Sequence, residues 1–168
     1  MQLSDEQKRT IIEKAQELYR MMYSARCLED SRVLEVNINN FKEACYDMSM
    51  LVHYLAKRAY NIPDEENLIF ECEFRYDNYS GSHFFNKIYG KTIDSTITQF
   101  DLSPYDNHDD CYTKLERVEY CEVPIKTMIE LYEGQCYIKE FLKNKHSVKL
   151  GQSKNSNRFI GLLKHLRR

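Results

Sequence analysis

Residues 67–100 read NLIFECEFRYDNYSGSHFFNKIYGKTIDSTITQF, and their hydrophobic period decides the fold. Leu68, Phe70, Cys72, Phe74 and Tyr76 alternate with Ile69, Glu71, Glu73, Arg75 and Asp77. A period of two is that of a strand with one buried and one wetter face. YDNYSG, residues 76–81, supplies a turn, and SHFFNKI and TIDSTI on either side of Tyr89-Gly90 form a candidate hairpin. With a two-residue loop at Tyr89-Gly90, Ile88 pairs with Lys91, Phe85 with Asp94 and His83 with Thr96. His83 and Asp94 then share a face, one diagonal step apart, within reach of their side chains. A four-residue loop keeps them together and a three-residue loop separates them. Tyr89 is poorly suited to positive φ, so both even loops stay open. Asn86 falls on the opposite face from His83 and takes a structural role, while Cys72 belongs with Phe70 and Phe74 in a core.

Helical patterns flank this β region. Ser4 followed by Gln7 is a capping box, and Ile11, Ile12, Ala15, Leu18, Tyr19 and Met22 continue at helical spacing, predicting a first helix over residues 5–24. Phe41, Ala44, Cys45, Met48, Leu51, Val52, Leu55 and Ala59 predict a second, capped by Asn39 or Asn40 and ended by Asn61-Ile62-Pro63. Beyond a polar loop over 101–114, KLERVEYCEV reads as a further strand. Pro124 suits the first turn of a helix carrying Ile125, Met128, Ile129 and Tyr132. Gly134 interrupts or ends that helix, and QCYIKEFLKNK resumes it. The tail NRFIGLLKHLRR carries a short apolar stripe, predicting a packed terminal helix. Helices, then mainly antiparallel strands, then helices make an α+β domain.

The chain has 168 residues, 42% of them hydrophobic and 30% charged, which suits one globular domain over residues 1–168 and excludes a disordered chain. No apolar run is long enough to span a bilayer, and the first ten residues lack the apolar core of a signal peptide, so the expectation is a cytoplasmic protein without membrane partners. Six cysteines are scattered with no CxxC pair, which predicts reduced thiols rather than a disulfide framework or a zinc site. His108-Asp109-Asp110-Cys111 offers ligand types without a second cluster and is read as a polar loop, so no metal is expected. Net charge is −2, yet residues 139–168 hold nine Lys or Arg against one acid, Glu140. That basic C-terminal region either keeps a terminal helix soluble or attracts nucleic acid or an acidic partner.

A carboxylate bonded to one imidazole nitrogen fixes its tautomer and leaves the other to take a proton from a nucleophile. Among the thiols, Cys45 is the best candidate: it stands near the start of a long amphipathic helix, where exposed N–H groups and the helix dipole favour a thiolate. The competing reading is a small buried side chain on the core face. His53, eight positions along the same helix, is too far away to pair with Cys45 directly.

NNFKEACYDMSMLVHYL followed by GSHFFNKIYGKTIDSTITQF, residues 39–100, resembles the transglutaminase-like and papain-like cysteine hydrolase superfamily, and most nearly the YunG-like group of bacterial proteins. The resemblance implies a papain-like fold in which Cys45 is the nucleophile, His83 the general base and acid, and Asp94 the residue that orients His83. It implies acyl transfer on a protein or peptide amide, by hydrolysis or transglutaminase-like exchange, with no cofactor. Asn39, Asn40 and Gln99 are candidate oxyanion donors beside the Cys45 N–H. Glu43, a carboxylate where the family tends to have glycine, favours the alternative of an idle papain-like binding module. A nucleic-acid-associated protein using the basic end is the other alternative.

Overall fold

The computed structural model describes residues 2–29, 41, 44–132 and 134–144. The elements run in the order α1 (Asp5–Glu29), α2 (Cys45–Tyr60), β1 (Asn67–Tyr76), β2 (Tyr79–Ile88), β3 (Lys91–Ile93), β4 (Tyr112–Val118), α3 (Glu122–Leu131) and α4 (Gly134–Asn144). The strands form one antiparallel sheet in the order β3-β2-β1-β4. This is an α+β architecture. Among the described residues no helix is long and apolar enough to cross a membrane.

Register explains the layering. Cys72 lies opposite His83, Phe70 opposite Phe85 and Phe74 opposite Gly81, so these residues share one face of the sheet. Asn67 opposite Ile88 and Ile69 opposite Asn86 share the other. The second face meets the helices: Ile69, Ile88 and Ile93 join Ile11, Leu18, Met48, Leu51 and Leu55 in the main core. The first face builds a smaller aromatic core from Cys72, Phe74, Phe85, Ile97 and Tyr112, with Phe70 and Phe100 packed on it.

The N-terminal capping box closes reciprocally: Ser4 N donates to Gln7 Oε1 at 2.9 Å and Gln7 N to Ser4 Oγ at 3.1 Å. Helix α1 then runs five residues past the predicted end at 24, to Glu29. Helix α2 corrects the expected start. Phe41 is buried in a left-handed conformation (φ 56°), which no helix interior tolerates, and the Ala44 N–H turns back to the Phe41 carbonyl at 3.1 Å. The helix therefore begins at Cys45, with Ala44 as N-cap and no side-chain cap. Asn39, Asn40 and Glu43 lie outside the described residues, as do Cys27's side chain and the basic tail from residue 145, including the predicted terminal helix.

Both hairpins have two-residue loops. Ile88 pairs with Lys91 across Tyr89-Gly90, where both residues take positive φ (49° and 76°), the pattern of a type I′ turn. Tyr76 pairs with Tyr79, so β2 starts earlier than a turn over 76–81 allows, and Asp77 carries the positive φ (51°). On the other edge, Glu71 opposes Glu116 and Glu73 opposes Thr113, which leaves an extra residue in β4. Lys114 (φ 53°) accommodates that bulge.

Candidate active site

The β2–β3 pairing ends at Asn86 opposite Ile93, so the expected pairs Phe85–Asp94 and His83–Thr96 are absent. The Asp94 side chain supplies the reason. Its Oδ1 accepts from the Thr96 backbone N–H and from Thr96 Oγ1, both at 3.0 Å, a local turn that competes with the ladder. The chain leaves the strand here and continues into a 3-10 turn over Ile97–Phe100. Gln16 on α1 donates to the Ser95 carbonyl at 2.7 Å and ties this departure to the first helix.

Leaving the ladder brings Asp94 against His83 directly. His83 Nε2 and Asp94 Oδ2 are 2.6 Å apart, with both side chains almost wholly buried (1% and 3% exposed). Tyr112 at the head of β4 donates its hydroxyl to the same Oδ2 at 2.9 Å. Each carboxylate oxygen thus has two partners, the condition under which a buried carboxylate is tolerated. Phe74, Phe100 and Tyr112 surround the imidazole with ring centroids at 5.2, 5.4 and 6.4 Å.

The remaining partner of His83 is Cys45. The Cys45 side chain acts on the His83 ring as a hydrogen-bond partner, and with Nε2 held by Asp94 the nitrogen left for it is Nδ1. Cys45 is the first residue of α2 and partly buried. Residues from α2, β2 and the turn after β3 thus form a continuous line, Cys45 to His83 to Asp94. Burial alone pushes the imidazole down, but the Asp94 charge, the hydrogen bond to it and the Cys45 thiol outweigh that and hold His83 up at about 9. Neighbouring Cys72, across from His83, behaves differently: burial first, and the Asp94 charge second, push its thiol up to about 12. Burial, then the Asp94 charge, likewise push the Tyr112 phenol up, so it stays a donor.

Gln99 lies in the 3-10 turn beside Phe100, and its Nε2 is buried with no partner among the described residues. Asn86 turns to the helix face and donates to the Ser49 carbonyl at 3.0 Å. His108 bonds the Ser103 carbonyl at 2.9 Å, in a loop lining a cleft of about 340 Å3 that touches Asp94 and Tyr112 but not Cys45. The sequence reading missed Tyr112 and Thr96 as holders of Asp94. Thr96 carries a usable signal, because Asp-x-Thr is a local turn pattern, whereas Tyr112 carries none, reaching Asp94 only through the sheet.

Compared with models of protein families, with curated proteins and with solved structures, the chain matches none.

Proposed function

We propose that this chain is a cysteine-dependent acyl-transfer enzyme, an amide or peptide hydrolase or a transglutaminase-like exchanger, on a papain-like variant of the α+β scaffold. The observation that carries this reading is the buried His83–Asp94 pair whose second nitrogen meets a thiol at the first residue of a helix. The Cys45 sulfur attacks the carbonyl carbon of an amide, forming a C–S bond while the carbonyl oxygen takes the negative charge. Collapse breaks the C–N bond as His83 passes its proton to the departing amine, leaving a thioester. Water or a second amine, deprotonated by His83, then releases the acyl group and restores the thiol. Asp94 keeps the ring in one orientation and balances its positive charge, a task for which its satisfied oxygens suit it. The Cys45 N–H, at the helix start, is the donor for the oxyanion, with the Gln99 amide, which has no partner among the described residues, as the candidate second donor.

The test is mass-mapped alkylation across pH on wild type and His83→Ala, with denaturant midpoints confirming that both are folded. Cys45 is expected to react fastest at about pH 6, ahead of exposed Cys121 and Cys136, and to lose this lead in the variant. Equal labelling of Cys45 and the exposed thiols in both proteins would leave an idle binding module as the better account.

A further inference from the structure

A second histidine–aspartate pair joins His53, on α2 two turns after Cys45, to Asp64 in the turn beyond that helix, and its surroundings are unlike those of the first. His53 is 1% exposed, and its Nε2 meets Asp64 Oδ1 at 3.1 Å. Asp64 also binds Lys57 Nζ at 2.8 Å. A carboxylate on Nε2 selects the tautomer with hydrogen there, so Nδ1 presents a lone pair. That Nδ1 is buried with no partner among the described residues.

Two further orphaned atoms lie close by. Asn67, also 1% exposed, donates Nδ2 to the His53 carbonyl at 2.9 Å, which fixes its amide orientation and leaves Oδ1 buried and unpartnered. The Tyr120 hydroxyl is buried as well, and neither it nor Asn67 Oδ1 has a partner among the described residues. Buried polar groups without partners are rare and costly, and three gathered at one place are rarer. All three residues line a single surface cavity of about 470 Å3, together with Asp64, Arg117 and Glu119. The Tyr120 ring lies over the His53 ring at 3.7 Å, in the short non-helical link between β4 and α3. It thus covers His53 from a residue that belongs to neither element.

We infer that this cavity is a binding site for a small, neutral, planar molecule bearing paired N–H donors, of the carboxamide or amino-heterocycle class, which displaces the Tyr120 ring and stacks on His53. Two fixed acceptors, His53 Nδ1 and Asn67 Oδ1, require a ligand that donates twice. The flanking charges, Lys57 and Arg117 against Asp64 and Glu119, balance and so favour a neutral ligand over an ion. The flat partner already stacked on His53 shows the shape that the ring accepts. The site shares no residue with Cys45, His83 and Asp94, so it stands or falls apart from the proposed chemistry.

The experiment follows the His53 ring resonances by NMR while the full chain is titrated with nicotinamide or, as the control, benzoate. The expected result is a saturable His53 shift with nicotinamide, in the millimolar range for so small a molecule, and none with benzoate. Asn67→Leu should weaken the amide by about tenfold, since the ligand's donor then faces no acceptor. Should that variant fail to fold, Tyr120→Ala, which removes the ring that the ligand has to displace, should strengthen it severalfold. A His53 ring that does not respond, a benzoate response equal to that of the amide, or wild-type affinity in the folded variants would overturn the inference and leave three hydrated polar atoms.

Discussion

The molecule holds two histidine–aspartate pairs, and they titrate in opposite directions. Each imidazole is 1% exposed and bonded through Nε2 to a carboxylate, and in each case burial is the largest influence and pushes the ring down. At His83 the counter-influences win and the ring rises to about 9. At His53 they lose and the ring falls below its ordinary range. The larger part of the difference lies in the carboxylates, with the Cys45 thiol adding to the rise at His83. Asp94 is 3% exposed, so its field reaches His83 through protein, whereas Asp64 is 55% exposed and shares its charge with Lys57. Water and an ammonium screen the second pair, while among the described residues no ammonium or guanidinium pairs with Asp94. Whether a histidine is a charge carrier or a neutral acceptor is therefore set here by how dry its partner is.

The harshest test of this comparison removes each carboxylate in turn. Asp94→Ala strips partners from His83, Thr96 and Tyr112 at a buried position and should cost about 3–5 kcal/mol, read from urea midpoints. It should also end the preferential alkylation of Cys45. Asp64→Ala removes an exposed partner and should cost below about 1 kcal/mol. Equal losses would mean that burial of the acid does not separate the pairs.

Next in size is the pH dependence. His83 binds its proton more tightly folded than unfolded, so its contribution is fully present below about pH 6.5 and disappears as pH rises through about 9. The gap between those values corresponds to something on the order of 3 kcal/mol. His53 holds its proton less tightly folded than unfolded, so its effect has the opposite sign: stability is retained above about pH 6.5 and declines as pH falls below it. Stability should peak between these limbs. In denaturation series, His83→Gln should flatten the alkaline limb and His53→Gln the limb just below neutrality; each variant flattening the other limb would reverse the assignment.

Local pattern carried much of the architecture. The alternation from Leu68 to Tyr76 is β1, the Ser4–Gln7 capping box opens α1, and Cys72 packs with Phe70 and Phe74, because each follows from neighbours in sequence. The Tyr89-Gly90 loop was one of two open lengths, and the strained φ of Tyr89 is tolerated where the side chain packs against the main core. What local pattern could not give was the end of β3, since alternation continues past Ile93 while the Asp94 side chain captures Thr96 instead. Nor could it give the start of α2, where Phe41 looks helical by spacing but is turned left-handed. The site was legible as a set of residue types on one hairpin face, yet the partner that completes Asp94 arrives from Tyr112 on β4, three positions from β3 in the sheet. His53 was set aside for its distance from Cys45, and its meaning emerged only from Asn67 and Tyr120 packed beside it.

The smallest effect discriminates most finely, because it compares two tyrosines by a single oxygen each. Tyr112 donates to Asp94 Oδ2 at 2.9 Å inside the aromatic core, so Tyr112→Phe removes a charge-assisted bond while His83 still holds that oxygen. The cost should be about 1 kcal/mol, less than that of leaving the carboxylate bare. Tyr120 covers the other pair, and its hydroxyl has no partner among the described residues. Tyr120→Phe keeps the stack on His53 and relieves a buried orphan, so the change should be neutral or stabilising by a few tenths of a kcal/mol. Urea midpoints of the two variants in one buffer measure the contrast directly. If Tyr120→Phe proved as costly as Tyr112→Phe, its hydroxyl would have to be paired in solution with ordered water, and one of the three orphaned atoms beside His53 would be satisfied.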